Sequence, residues 1–192
     1  MPAFFSFIFV VFSLICMAQG STGNPMLRAG SKTEYQPGKD DGLWHSELPD
    51  SLIIDSIVIH KALREMQAFS HQQLVKTYKI HLGLNPLGAK QVDGDCKTPE
   101  GLYQINSKNR VSTYHKSLGI SYPNQNDMLE AKKTGRPPGR DVVIHGWPNG
   151  TVRFRTNLYQ NDWTSGCIAV TNPEIDELFE HVNIGIPILI TP

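Results

Sequence analysis

The residues best suited to chemistry are one cysteine and one histidine, each set at the end of a short apolar run. In Asp162-Trp163-Thr164-Ser165-Gly166-Cys167-Ile168-Ala169-Val170, a small glycine-containing turn delivers Cys167 into Ile168-Ala169-Val170, which reads as a short buried strand. A thiol placed there has its backbone held by the strand and its sulfur at the mouth of the turn. Upstream, Asp141-Val142-Val143-Ile144-His145-Gly146 is a second apolar strand that ends in histidine and glycine. A thiol attacks as its thiolate, and histidine is the usual base that generates it. Cys167 is therefore expected to be a nucleophile and His145 its base. The competing reading of Cys167 is an inert buried cysteine. Gly166 argues against that reading, because glycine lets a backbone amide approach a ligand.

The elements that must position this pair are mostly strands. The chain has 192 residues, enough for one domain with a real core, and its 13 prolines and 16 glycines favour strands and loops over a helical bundle. The β-branched run from Leu52 to His60 reads as one strand, the stretch around Leu63, Met66 and Ala68-Phe69 as a second, and Leu74 to Leu82 as a third. The polar loop Gly94 to Gly101 leads into a fourth, Leu102-Tyr103-Gln104-Ile105. A helix is expected over 126–134, with Asn126 as cap, an apolar face from Met128, Leu129 and Ala131, and Gly135 as its end. A second helix is expected after the cysteine strand, with Asn172 as N-cap and Pro173 at its first position. Ile175, Leu178, Phe179 and Val182 would form its buried face. Ile186 to Ile190 closes the chain as a strand. The expected fold class is mostly β (α+β).

Residues Ala3 to Met17 form an apolar stretch without a polar face, which reads as the core of an export signal covering residues 1–20. Met1-Pro2 carries no basic residue, and whether the segment is cleaved or kept as an anchor stays open. Residues 21–48 read as a flexible linker and 49–192 as the domain. Eighteen basic and eighteen acidic residues leave no positive field for nucleic acid. Apart from His145, the histidines at 45, 60, 71, 81, 115 and 181 show no metal-ligand spacing, so neither a metal nor a cofactor is expected. Cys96 and Cys167 do not make a disulfide framework.

His145-Gly146, then Thr164-Ser165-Gly166-Cys167 followed by an apolar residue, resembles the signature of the L,D-transpeptidase catalytic domain (the YkuD-like fold). Eighteen residues separate His145 from Thr164, within that family's range. The Thr98-Pro99-Glu100-Gly101 loop and the Gly185-Ile186-Pro187-Ile188-Leu189-Ile190 ending resemble the family too, so the resemblance runs from about Asp50 to Pro192. Ser165 stands where most members have a second histidine, and Ala169 where asparagine or arginine is common.

The resemblance implies a YkuD-like mixed β-sandwich with two short helices, exported to the periplasm or cell wall. It implies peptidoglycan stem peptides as substrate, with a wall-anchored lipoprotein as one possible acceptor. Cys167 would attack the third residue of a stem tetrapeptide and release D-alanine. The backbone carbonyl of Gly146 would orient His145, with Asp162 as the competing third member; as a turn residue, Asp162 is expected rather to cap its own backbone. The N–H groups of Gly166 and Cys167 would form an oxyanion hole. Tyr122, Trp147, Arg153 and Arg155 would hold the stem, ordinary loop surface being the alternative for each. Cys96 would lie near the site, either as a spectator or as a disulfide partner of Cys167. The rivals are an L,D-carboxypeptidase with the same two catalytic residues and a non-catalytic wall-binding domain.

Overall fold

A computed structural model describes residues 47–150 and 161–192. The expected export signal, almost all of the expected linker, and Arg153 and Arg155 lie outside the described residues. Leu48, at the end of that linker, joins the hydrophobic core and donates its N–H to Glu177 Oε1 at 3.0 Å.

Three strands open the domain as two antiparallel hairpins: β1 (Ser56–His60), β2 (Glu65–Ser70) and β3 (Gln73–Lys79). They are followed by β4 (Gly101–Ser112), β5 (His115–Ile120), β6 (Val143–His145), β7 (Ile168–Ala169) and β8 (Pro187–Thr191). The order across the sheet is β3-β2-β1-β8-β4-β5-β6-β7. The β1–β8 and β6–β7 pairs are parallel and the remaining pairs antiparallel. The C-terminal strand thus sits in the middle of the sheet, where Ile188 and Ile190 are buried beside Ile57 and Ile59.

The sheet curls strongly. Irregularities in the β4–β5 pairing near residues 105–107 and 109–112 bend it, as extra residues in a ladder do. The chain leaving β3 then meets the opposite edge. His81 and Ala169 exchange backbone hydrogen bonds of 2.9 and 2.8 Å, and Gly83 bridges to Thr164. This contact covers the exposed edge of β7 and brings the start of the cysteine turn against residues 81–84.

Helix α1 (Gln125–Thr134) lies on the surface. Its cap is Asn124, not Asn126: the Asn124 side chain accepts from the N–H groups of Asn126 and Asp127, and Asp127 returns the bond to Asn124. The expected apolar face is not buried either, since Met128 and Leu129 are exposed and only Ala131 is covered. Helix α2 (Asn172–His181) buries Ile175, Leu178 and Phe179, and Val182 is buried just past its end. Here too the cap falls one residue earlier than expected. Thr171 precedes the helix, and Glu174 accepts from its N–H and hydroxyl at 2.8 and 2.7 Å. Asn172, expected as the cap, instead accepts the Trp147 N–H at 2.7 Å and so ties the helix to the strand end that carries His145. Among the described residues, no helix is long and apolar enough to cross a membrane.

Candidate active site

Side chains alternate between the faces of a strand, so register decides which residues can meet. In the parallel β6–β7 pair, Ile144 lies opposite Ile168 and His145 opposite Ala169. Cys167, entering β7, therefore emerges on the same face as Ala169 and His145, one diagonal step from the imidazole. Two short apolar strands suffice for this placement because both are buried on their other face: Ile144 and Ile168 are fully covered.

His145 is itself buried, at 3% exposure. Its Nδ1 lies 2.7 Å from the carbonyl oxygen of Gly146. A carbonyl can only accept, so Nδ1 carries the hydrogen and Nε2 presents a lone pair. Burial holds the imidazole below its ordinary value of 6.5, opposed by that same carbonyl. The ring is flanked by Tyr114, with centroids 4.6 Å apart, and by Trp163, edge-on at 5.5 Å. Gly146 has no room for a side chain, because a Cβ would lie 2.6 Å from Asn172 Oδ1 and 3.0 Å from Ile175.

The cysteine turn is tied by one threonine. Thr164 Oγ1 donates to the Cys167 carbonyl at 2.7 Å and accepts the Gly166 N–H at 3.1 Å. The Gly166 N–H, expected in an oxyanion hole, is thus engaged within the turn. Of the expected pair, the Cys167 N–H has no hydrogen-bond partner among the described residues. Gly166 adopts φ +131°, and a Cβ there would fall 2.6 Å from the Lys97 carbonyl, so both conformation and space call for glycine.

The thiol of Cys167 donates to the carbonyl of Asp141 at 3.6 Å and makes no hydrogen bond to His145. Burial pushes the thiol above its ordinary value of 9.0; the Val143 N–H and the Lys90 charge oppose this, and Asp141 adds to it. Burial thus favours the neutral form of both the thiol and the imidazole.

Asp162 neither reaches His145 nor caps its own turn. Its carboxylate pairs with Arg64 at 2.7 Å and accepts the Leu82 N–H at 2.8 Å, anchoring the cysteine turn to the residues after β3. Tyr122, expected to touch substrate, is buried at 5% exposure and donates its hydroxyl to the Pro138 carbonyl at 2.7 Å. It braces the segment that leads to Asp141. Trp147 is mostly buried and stacks on Trp163 with centroids 5.8 Å apart. Cys96 is a free thiol, as is Cys167; its sulfur points to the Gly94 carbonyl at 3.7 Å. The Cys96 carbonyl presses on Gly83, where a Cβ would lie 2.1 Å away. Among the described residues, no group of three His, Cys, Asp or Glu could hold a metal ion.

Several participants carry no local signature. Thr164 could have been noticed from its position three residues before Cys167. Asp141 and Tyr114 become neighbours of the pair only through the β5–β6–β7 register.

Comparison with known proteins agrees with this geometry. The L,D-transpeptidase catalytic domain family (YkuD) matches residues 54–190. A protein of Escherichia coli strain K12 named "Putative L,D-transpeptidase YafK" is 35% identical over 113 residues, covering 57% of this chain and 38% of its own length. The crystal structure of the helical cell shape determining protein Pgp2 from Campylobacter jejuni has the same fold, with a TM-score of 0.54 at 23% identity. That match covers 73% of this chain and 48% of Pgp2. The chain thus spans about two-fifths of YafK and about half of Pgp2. With a family match across most of its length, the chain belongs to the L,D-transpeptidase catalytic domain family.

Proposed function

We propose that the chain is a cysteine-dependent L,D-transpeptidase acting on peptidoglycan stem tetrapeptides. The observation that best supports this reading is the shared face of His145 and Cys167, with Nδ1 held by the Gly146 carbonyl so that Nε2 is the basic atom. In the proposed reaction the sulfur turns from Asp141 toward His145, which takes the thiol proton on Nε2 as the sulfur attacks the carbonyl of the third stem residue. The carbonyl oxygen becomes an oxyanion facing the Cys167 N–H; a donor of this kind contributes on the order of 3 kcal/mol to lowering the barrier. Collapse breaks the bond to terminal D-alanine, whose amine takes the proton from His145. An acceptor amine then attacks the thioester, gives its proton to Nε2, and regenerates the thiol as the new amide forms.

The acceptor is the amine of a second stem, the lysine of a wall-anchored lipoprotein, a free D-amino acid, or water in the hydrolytic case. The apolar segment Ala3 to Met17 supports placing the protein outside the cytoplasm, in the periplasm or cell wall.

The test is mass spectrometry of products after the purified protein is mixed with disaccharide-tetrapeptide, with Cys167→Ala alongside. A cross-linked dimer lacking one D-alanine, absent from the variant, is the expected result. Tripeptide alone would replace transpeptidation by carboxypeptidation at the same cysteine. Equal turnover by Cys167→Ala would overturn the acyl-enzyme reading.

A further inference from the structure

Among the described residues three lysines are buried: Lys76 pairs with Glu177, while Lys61 and Lys90 lie in the loops after β1 and β3 and differ in their bonding. Lys61, at 2% exposure, donates all three of its N–H bonds: to Gly88 O at 2.7 Å, Thr98 O at 3.1 Å and Glu100 Oε1 at 2.7 Å. It is saturated by the loop it pins. Lys90, at 7% exposure, donates to Val92 O at 3.1 Å and to Asp95 Oδ1 at 2.8 Å. An ammonium has three donors, so one N–H of Lys90 has no protein partner among the described residues. Its Nζ lies 3.9 Å from the point a Gly166 Cβ would occupy, so the missing side chain of Gly166 leaves the ammonium facing the cysteine turn.

Asp95 holds this charge in place. Its other contacts come from the N–H groups of Gln91, Val92 and Lys97, at 2.8, 3.1 and 3.1 Å. Burying a cation is costly unless something uses or balances it. Asp95 balances that charge at rest, and the ammonium gains a second use beside a group that becomes negative in the reaction. Cys167 is such a group.

We infer that Lys90 is a positioning residue whose buried ammonium stabilises the Cys167 thiolate as its proton passes to His145, with Asp95 fixing the ammonium beneath the turn. The inference rests on the proposed nucleophilic role of Cys167. Among the described residues, the charged and titratable groups around the thiol are His145 on β6, Asp141 on the approach to β6, and Lys90 from the loop after β3, itself paired with Asp95. Lys90 is the one cation among them while His145 is neutral, and its charge acts on the thiol against the effect of burial.

The test is the rate of alkylation of Cys167 by iodoacetamide, an uncharged probe, from pH 7 to 9. It is followed on the Cys167 peptide by mass spectrometry in the full chain carrying Cys16→Ser and Cys96→Ser. Lys90→Met should lower the rate about tenfold at every pH, the effect of a one-unit change in thiol acidity. Lys90→Arg should recover most of that loss. Asp95→Asn removes the balancing negative charge and should raise the rate several-fold. A clamp without an electrostatic role would change melting temperature in Lys90→Met and Asp95→Asn but leave the rates together, or shift both the same way; either result overturns the inference. If Lys90→Met does not fold, Asp95→Asn decides alone: a faster rate supports the inference, and an equal or slower rate refutes it. No labelling of Cys167 at any pH in the parent protein would instead refute the nucleophile reading itself.

Discussion

At Cys167 and His145, burial opposes the charges that the proposed reaction creates. It favours the neutral form of both groups, holding the thiol above 9.0 and the imidazole below 6.5. The reaction then needs His145 unprotonated at the start, so activity is lost on acidification only when His145 takes a proton. Because its folded value is depressed, the acid limb of kcat/KM should lie below pH 6.5, measured as stem-peptide turnover from pH 4 to 8. A limb centred above 6.5 would mean that a partner holding the imidazolium outweighs the burial that disfavours it. The two residues are legible in sequence because a glycine-bounded thiol and a strand-ending histidine are local patterns. Their shared face is not local, since it depends on the β6–β7 register. Tyr122 shows the converse. An aromatic residue in a Ser-Tyr-Pro loop looks like substrate surface, but its hydroxyl finds the Pro138 carbonyl and the ring is buried. Which way a loop side chain turns depends on partners distant in the sequence.

One scale up, the cysteine turn holds its shape through Thr164 and through the glycines that let the neighbouring loop approach. Thr164→Val keeps the volume but deprives the Gly166 N–H and the Cys167 carbonyl of their hydroxyl partner, at a cost of about 1–3 kcal/mol. Misplacing the sulfur should lower kcat about 10- to 100-fold with a smaller change in KM, and Thr164→Ser should retain most of the activity. Equal kinetics in Thr164→Val would show that the turn is held by its backbone alone. Gly83→Ala drives a Cβ to within 2.1 Å of the Cys96 carbonyl and should destabilise by about 1–3 kcal/mol, read as a lowered melting temperature. The elements that sequence reveals are those with a dense apolar pattern. Ile57-Val58-Ile59 and Ile188-Leu189-Ile190 read directly as strands, and Ile175, Leu178 and Phe179 read as a helix face. Strand β4 runs on through Asn106 to Ser112 and pairs with β5, and neither stretch alternates polar with apolar. Their pairing comes from the bulged ladder and from Gly119, whose absent side chain leaves space for Ser107 Oγ. Met128 and Leu129 mislead in the opposite sense, being apolar residues at helical spacing on a helix that packs little.

In the domain as a whole, titration and stability are coupled through groups whose acidity the fold shifts. His145 and His81 both lie below their ordinary value, chiefly because burial disfavours their charged forms. A histidine depressed in the fold binds its proton first in the unfolded chain, so the unfolded state carries more protons as pH drops through 6.5. The contribution of these two residues is therefore fully present above pH 6.5 and declines below it. Asp95 is depressed despite burial, because Lys90 and three backbone N–H groups outweigh the desolvation; Asp176, partly exposed, is depressed by Lys116 and His115 against its own desolvation. Carboxylates of this kind contribute above their unfolded value and lose that contribution as pH falls below about 4. Melting temperature followed by calorimetry should therefore stay level from pH 8 to 7, fall first as pH drops below about 6.5, and fall again below about 4. His145→Asn should make the first decline shallower and leave the second in place. A melting temperature that rose on going from pH 7 to 5.5 would require these imidazoles to be charged in the fold. The Gly146 contact would then belong to an imidazolium, and His145 would lack the Nε2 lone pair that the acyl-transfer reading needs.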